Sequence, residues 1–334
     1  MQPLKIVGAA RSVPQKDKLC NEDNYYLNGF YPTSAQLNTA VTAQLNRVKE
    51  INLYAVFDGV GGSSLGDHAS SEAVDMLMRY HEMLLHDITP DWDNTMNAYF
   101  GATNEKLCEH MMESGEGTRE GTTAAVLAVH NNSAYIYNIG DSRIYKYDGD
   151  RMSQLSYDHT YVQQLINMGY ITKDQALAHP KRNKLSQYLG IFPEELEILP
   201  HIGEPVPLDG GEVFLICSDG ITDFLADSRL SQILDGGGEA RAMVDKIIEE
   251  ATAAGATDDI TAMVVKIERG ESEKFIHSKG GKILLRVLAS LMVLITLFTA
   301  GLIWWLSSVN NDSPANAGIT SAAETARIDY FNTI

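Results

Sequence analysis

The chain has 334 residues, 44% hydrophobic and 21% charged, enough for one large domain with a substantial core or for two smaller ones. Its formal net charge of −18 leaves no basic stripe for phosphates and argues against a general nucleic-acid binder. Cys20, Cys108 and Cys217 are odd in number and far apart, which fits reduced thiols better than a disulfide framework.

From the N-terminus, MQPLKIVGAARSV contains no long apolar run, so no secretory signal is expected. Apolar runs of strand length follow at 4–10, 52–57, 123–129, 133–139, 143–147, 212–217 and 261–267. Asn131-Asn132 and Asp148-Gly149 are turn signals, so 121–147 reads as an antiparallel meander. Three apolar stripes predict core-facing helices between the strand groups. They are Ala69, Ala73, Leu77, Tyr80 and Leu84, then Trp92, Met96, Tyr99, Leu107 and Met111, then Ala240, Val244, Ile247 and Ala251. Strand groups interrupted by helices predict an α+β fold with helices outside the sheets. Ser63 and Ser64 are expected to cap the first long helix. Thr160-x-x-Gln163 and Thr172-x-x-Gln175 are capping-box patterns, so 157–200 is predicted to carry two short helices as an insertion over the strands.

The C-terminal part differs in kind. Residues 269–286 read as a polar, basic linker, and the twenty residues 287–306, VLASLMVLITLFTAGLIWWL, carry no charge. At ~1.5 Å per residue such a helix spans roughly 30 Å, a bilayer core. Trp304 and Trp305 stand at its distal edge. Lys274, Lys279, Lys282 and Arg286 precede it, and only Arg327 follows among the basic residues. This predicts a single-pass protein of the cell membrane, with 1–286 cytoplasmic and the tail 307–334 outside.

Carboxylates recur at strand ends. Asp58-Gly59 follows one apolar run and Asp219-Gly220 another; Asp258-Asp259 stands just before a third, and Glu22-Asp23 precedes Tyr25-Tyr26-Leu27. One Asp-Gly pair alone suits an ordinary turn. Four such places suggest carboxylates gathered at one sheet edge, where protonation, bases or metal ions must relieve their repulsion. Few Lys or Arg accompany them, and Mg²⁺ or Mn²⁺ are the economical answer because they favour carboxylate and water oxygens. No G-x-x-x-x-G-K-[ST] is present, and Gly59-Val60-Gly61 lacks the later glycine of a dinucleotide fingerprint. The nine histidines show no ligand-type spacing, so zinc is not expected.

The ordered set NED (21–23), VFDGVGG (56–62), GTTAA (121–125), NIGDSRIY (138–145), SYDHT (156–160), HPKRN…LG (179–190), CSDG (217–220) and ATDDIT (256–261) resembles the metal-dependent, type-2C serine/threonine protein phosphatases, in their bacterial branch. The match covers 5–268, within an expected domain of 1–268 whose flap is 157–200. The resemblance implies two antiparallel sheets in a sandwich flanked by helices, with two Mn²⁺ or Mg²⁺ ions at one end and a third, looser one. By position, Asp58 would bridge the two ions and the Gly59 carbonyl would bind one. Asp219 and Asp258 would hold the other, and Asp141 the third. Glu22 and Asp23 match the acidic pair that holds metal-bound water or supports the ligands. The two ions would lower the pKa of a bridging water, so no protein nucleophile is needed.

Three positions depart from that pattern. Lys18 stands where the family has a phosphate-gripping arginine, offering a point charge in place of a fork, with Arg11 as a substitute. Val60 replaces the histidine proposed as general acid in animal members. Asp259 replaces a common asparagine and adds a charge expected to favour metal. The implied partners are phosphoserine and phosphothreonine proteins, including a membrane-associated serine/threonine kinase. A catalytically silent, membrane-bound phosphoprotein scaffold of the same fold is the rival reading, and it would lack metal carboxylates. His159, His179 and Arg182 in the flap are expected mainly to make local hydrogen bonds.

Overall fold

The computed structural model describes residues 4–269, apart from 17, 19, 38–40, 47–50, 62–64, 88 and 116–118, together with the helix Lys279–Asn311. Residues Met1–Gly270 and Glu271–Ile334 form separate units. The expected caps Ser63 and Ser64, the linker segment 270–278 and the tail 312–334 lie outside the described residues.

Two six-stranded antiparallel sheets build the first unit. One runs β10 (Met152–Gln154), β9 (Arg143–Tyr147), β13 (Val213–Cys217), β14 (Ile260–Arg269), β1 (Leu4–Val13) and β3 (Val41–Asn46). The other runs β11 (His201–Ile202), β8 (Ser133–Ile139), β7 (Ala124–His130), β4 (Ile51–Phe57) and β2 (Asn24–Leu27), with β12 (Val206–Pro207) also on β8. A two-stranded ribbon, β5 (Gly59–Val60) with β6 (Gly121–Thr122), stands apart from both.

Period-two alternation explains the layering. In β1, Ile6 and Ala10 join Tyr54 and Val56 of β4 and Phe214 and Ile216 of β13 in one core shared by both sheets. The intervening Val7 and Ala9 pack instead with Leu215, Val244 and Ile247, against α8 (Ala240–Ala253). On the other side, Leu53, Ala55 and Phe57 pack with Ala73, Leu77, Met96 and Tyr99 of α2 (Gly66–Leu84) and α3 (Trp92–Ser114). The strands are apolar on both faces because both faces are covered. Each fully buried Leu or Phe contributes about 1.5–3 kcal/mol relative to exposure. The α+β sandwich and the three helical stripes are as expected from sequence.

The differences are local. Thr123 was expected to open a strand, yet β7 begins at Ala124 because Thr123 turns its backbone N–H and hydroxyl to Asp58. In the insertion, α4 (Tyr161–Asn167) and α5 (Lys173–Leu177) are capped by Thr160 and Thr172. The reciprocal capping box closes only at Thr172, since Gln163 donates to Asn167 instead.

The C-terminal helix Lys279–Asn311 includes the apolar run 287–306. Its described side chains are 290–306, so those of the first three residues of that run are outside the description. Among the described residues no helix is long and apolar enough to cross a membrane.

Candidate metal centre

The register brings the carboxylates together. In the first sheet the end of β13 lies beside the starts of β9 and β14, with Cys217 opposite Arg143 and Ala262. In the second sheet the end of β4 lies beside the start of β2, with Phe57 opposite Asn24. Residues just beyond these ends must meet. Glu22, Asp58, Gly59, Asp141, Asp219 and Asp258 accordingly line one cavity of about 280 Å³, with Val60, Gly61, Asn183 and Leu185.

Each carboxylate is set by a specific device. Asp58 follows β4, and its main-chain carbonyl accepts from the Thr123 N–H at 2.8 Å and the Thr122 hydroxyl at 3.1 Å. Its own N–H donates to Thr123 Oγ1 at 3.1 Å, and that hydroxyl pairs with Ser142 at 2.7 Å. Gly59 donates to the Glu22 carbonyl, and a Cβ there would lie 2.4 Å from the Gly66 carbonyl oxygen. Only glycine lets these three chain segments close on the cavity. Asp141 is aimed by Gly140, whose φ of +96° and approach to Thr123 exclude a side chain. Asp219 opens the short helix α6 (Asp219–Thr222) directly after β13.

Asp23 is buried behind the cavity and accepts from the Ser218 hydroxyl at 2.7 Å. Ser218 precedes α6 without capping it through its side chain, because that hydroxyl serves Asp23 and accepts from the Thr261 N–H. Glu22 faces the cavity while Asp23 braces α6, so the two members of the acidic pair act in different places.

Burial, then repulsion from Asp23, Asp219, Asp141 and Asp258, pushes the Asp58 carboxyl far above the usual carboxylate range. Burial and the neighbouring Asp219 and Asp158 do the same to Asp141, against the lowering effect of Arg143. Asp219 is pushed up to about 6 by burial and by Asp223 and Asp258, and its carboxyl meets that of Asp58. Such a set holds its charge only with cations among it. Oxygen donors from several carboxylates and a backbone carbonyl, in a cavity with room for water, fit Mg²⁺- or Mn²⁺-type ions. Asp58, Asp219, Asp258, Asp141 and the Gly59 carbonyl are the groups positioned to hold them.

Lys18 does not offer a free cation to this cavity. Its ammonium lies 2.7 Å from both Glu22 and Asp259 and 3.7 Å from Asp258. Burial lowers its pKa, but the hydrogen bonds to Asp259 and Glu22 outweigh that and raise it above the ordinary lysine value. Asp259 is buried and also accepts from the Gln15 and Glu22 N–H groups, each at 2.7 Å. Two of the departures from the family pattern therefore neutralise each other. The extra charge at 259 is answered inside the protein, and Arg11 faces Asp245 on α8 at 2.9 Å.

The flap closes the open side. Thr122 and Leu189 exchange backbone hydrogen bonds, while Arg182 and Asn183 both donate to Asp223 just after α6. His159 is buried, its Nδ1 accepting from the Gly140 N–H, and burial lowers its pKa. His179 Nδ1 accepts from the Lys181 N–H.

A protein phosphatase 2C family model matches residues 33–164. The protein phosphatase PhpP of Streptococcus pneumoniae is 31% identical over 220 residues, covering 65% of this chain and 86% of that protein. This chain belongs to the protein phosphatase 2C family. Among solved structures of the family, the serine/threonine phosphatase PstP/Ppp of Mycobacterium tuberculosis superposes with a TM-score of 0.65 at 26% identity. That match covers 79% of this chain and 99% of the other. The PstP catalytic domain in complex with two manganese ions gives a TM-score of 0.63 at 25% identity, covering 80% and 100%. The family, its bacterial branch and its antiparallel-sheet fold agree with the motif series 21–261.

Sequence reading did not assemble one further cluster. His68 of α2, His110 of α3 and Glu120 before β6 come together, their ligand-capable atoms all within 4.8 Å of one another. They are separated by 42 and 10 positions on three elements, so no local spacing announces them.

Proposed function

We propose that this protein hydrolyses phosphoserine and phosphothreonine on other proteins, using a pair of Mn²⁺ or Mg²⁺ ions at the carboxylate cavity, from a position at the membrane. The observation that carries the reading is the convergence of Glu22, Asp58, Asp141, Asp219 and Asp258 on one cavity whose neighbouring lysine is already neutralised. When bound, the two ions would supply an activated water and neutralise charge on an in-line phosphoryl transition state. The chain's own residues do the rest. Asp58 and Asp219 present adjoining carboxyls, and the Thr122 and Thr123 hydrogen bonds keep the Asp58 backbone from moving. Glu22 borders the cavity with its other side held by Lys18. Asn183 and Leu185 of the flap cover the cavity, so the phosphoryl group enters between the flap and the Val60–Gly61 loop. Val60 offers no proton, which leaves water as the donor to the departing serine or threonine oxygen.

The membrane setting is supported by the uncharged run 287–306 within the helix Lys279–Asn311 and by the basic residues before it. Among its described apolar side chains, Leu294, Phe298 and Trp304 are more than half exposed, as lipid contact requires. The basic flank orients residues 1–286 to the cytoplasm and 307–334 outside. A membrane-associated serine/threonine kinase is the natural counterpart whose products this enzyme would remove.

The test uses the full-length chain with an aryl phosphate and a phosphothreonine peptide. Turnover should require Mn²⁺ or Mg²⁺, stop with chelator and vanish in Asp219→Asn. A folded protein with no metal-dependent turnover would overturn the enzymatic reading and leave a phosphoprotein-binding scaffold. Alkaline carbonate extraction tests the anchor: the chain should remain with membranes, and release into the supernatant refutes it.

A further inference from the structure

Glu120 is anomalous. Its side chain is fully buried, yet among the described residues its ion-pair partners are only two imidazoles. His110 Nδ1 lies 2.6 Å from one carboxylate oxygen and His68 Nδ1 3.1 Å from the other. The two rings stack at 3.9 Å between centroids, so both Nδ1 atoms point to the same carboxylate. Nearby Arg119 pairs with Glu195 instead.

We propose that His68, His110 and Glu120 form a second metal site, distinct from the carboxylate cavity and selective for a Zn²⁺-type transition ion. Two imidazoles and one carboxylate are a three-ligand set that zinc accepts with water as the fourth donor. Donors on a tetrahedral ion at ~2.0–2.1 Å stand roughly 3.3 Å apart. The present separations are within 4.8 Å, so small side-chain adjustments suffice. Imidazole favours zinc and its neighbours over Mg²⁺ and Mn²⁺, whereas the catalytic cavity offers only oxygen. The two sites therefore select different ions from one solution.

Access and position support the assignment. The His68 and His110 side chains are 40% and 34% exposed, so an ion reaches them without opening the core. Glu120 also lines a cavity of about 320 Å³ whose other walls include Val60, Gly61 and Asn183, residues shared with the carboxylate cavity. His68 lies two residues beyond Gly66, which packs on Gly59. Glu120 lies two before Thr122, which holds the Asp58 carbonyl. An ion at this site joins α2, α3 and β6 directly behind the loop that carries Asp58.

The experiment titrates the full-length chain with Co²⁺ in excess Mg²⁺, which occupies the oxygen site. One equivalent should bind with the intense visible absorption of four-coordinate, imidazole-bound Co²⁺, and Zn²⁺ should displace it. His68→Ala and His110→Ala should each lose that equivalent while keeping Mg²⁺-dependent phosphatase activity measurable. Unchanged Co²⁺ stoichiometry in both variants, or no such band in the parent, overturns the proposal. A measurement on the unaltered chain removes dependence on variant folding. With the first equivalent of Zn²⁺, ring-proton resonances of two of the nine histidines should shift, and a shift elsewhere or none refutes the site.

Discussion

Asp258 and Asp259 are consecutive, and they meet opposite fates. Asp259 is buried with a lysine at 2.7 Å and two backbone N–H groups on its oxygens. Asp258 is 57% exposed at its side chain and looks into a cavity with Asp58, Asp141 and Asp219. Asp259 is neutralised by the chain itself, whereas Asp258 has Lys18 only at 3.7 Å and stays open to ions from solution. Charge that the fold satisfies internally becomes structure, and charge that it leaves unsatisfied becomes a binding site.

The sharpest break of that comparison is Asp219→Asn, which removes a carboxylate from the unsatisfied set. Losing even an indirect support of a metal ligand costs about 10–100-fold. Metal-dependent turnover of Asp219→Asn should therefore fall at least about 100-fold, measured as kcat/KM, with the thermal midpoint unchanged or raised as repulsion is relieved. A loss of fold instead of activity would mean that Asp219 belongs with Asp259.

On the satisfied side, Lys18→Met strands a buried Asp259 and releases Glu22. Breaking a buried pair costs about 3–5 kcal/mol, and the partial exposure of Lys18 reduces that to roughly 2–4 kcal/mol. Denaturant unfolding measures the loss. Adding Asp259→Asn should restore most of the stability. If the double variant regains stability but keeps a raised KM, Lys18 also touches substrate; if both recover, its role is confined to the ion pair.

The open set also responds to pH when chelator is present. Asp58, Asp141 and Asp219 have folded-state pKa values above their unfolded ones, so the folded state binds more protons. Their contribution favours folding at low pH and is lost as pH rises from about 4, the unfolded carboxylate pKa, through about 6 for Asp219. The metal-free thermal midpoint should fall across that window. Saturating Mn²⁺ should flatten or reverse the trend, because ions bind the deprotonated form. A metal-free midpoint that rises steadily over the same range contradicts the repulsive cavity.

Ser218→Ala should give the smallest effect. It deletes the hydroxyl that Asp23 accepts and leaves that carboxyl buried with one partner fewer, a cost of about 1–3 kcal/mol. Mn²⁺ affinity, read by calorimetry, should weaken no more than about 100-fold, since Asp23 braces α6 from behind.

Much of the catalytic half was legible because its signals are local. A strand followed by Asp-Gly is readable within a few residues, and it occurs in two of the eight local motifs whose order carries the family resemblance. The helical stripes were legible because the 3.6-residue period is written into the sequence, and α2, α3 and α8 bury those residues except the half-buried Tyr80. The short strands β5, β10, β11 and β12 were not expected from the sequence, nor was the pairing of β5 with β6. They are two or three residues long and depend on pairing partners far away in the chain.

By itself the sequence determined the two apolar-faced strand sets, the outward helices, the carboxylates at strand ends and the uncharged run 287–306. Each follows from periodicity or composition along a short stretch. Only the tertiary structure decided that Lys18 answers Asp259, that Asp23 braces Ser218 while Glu22 faces the cavity, and that His68, His110 and Glu120 meet. Those outcomes depend on which side chains register places within about 3 Å, and electrostatics at that range is set by burial and partners, which residues distant in the chain supply.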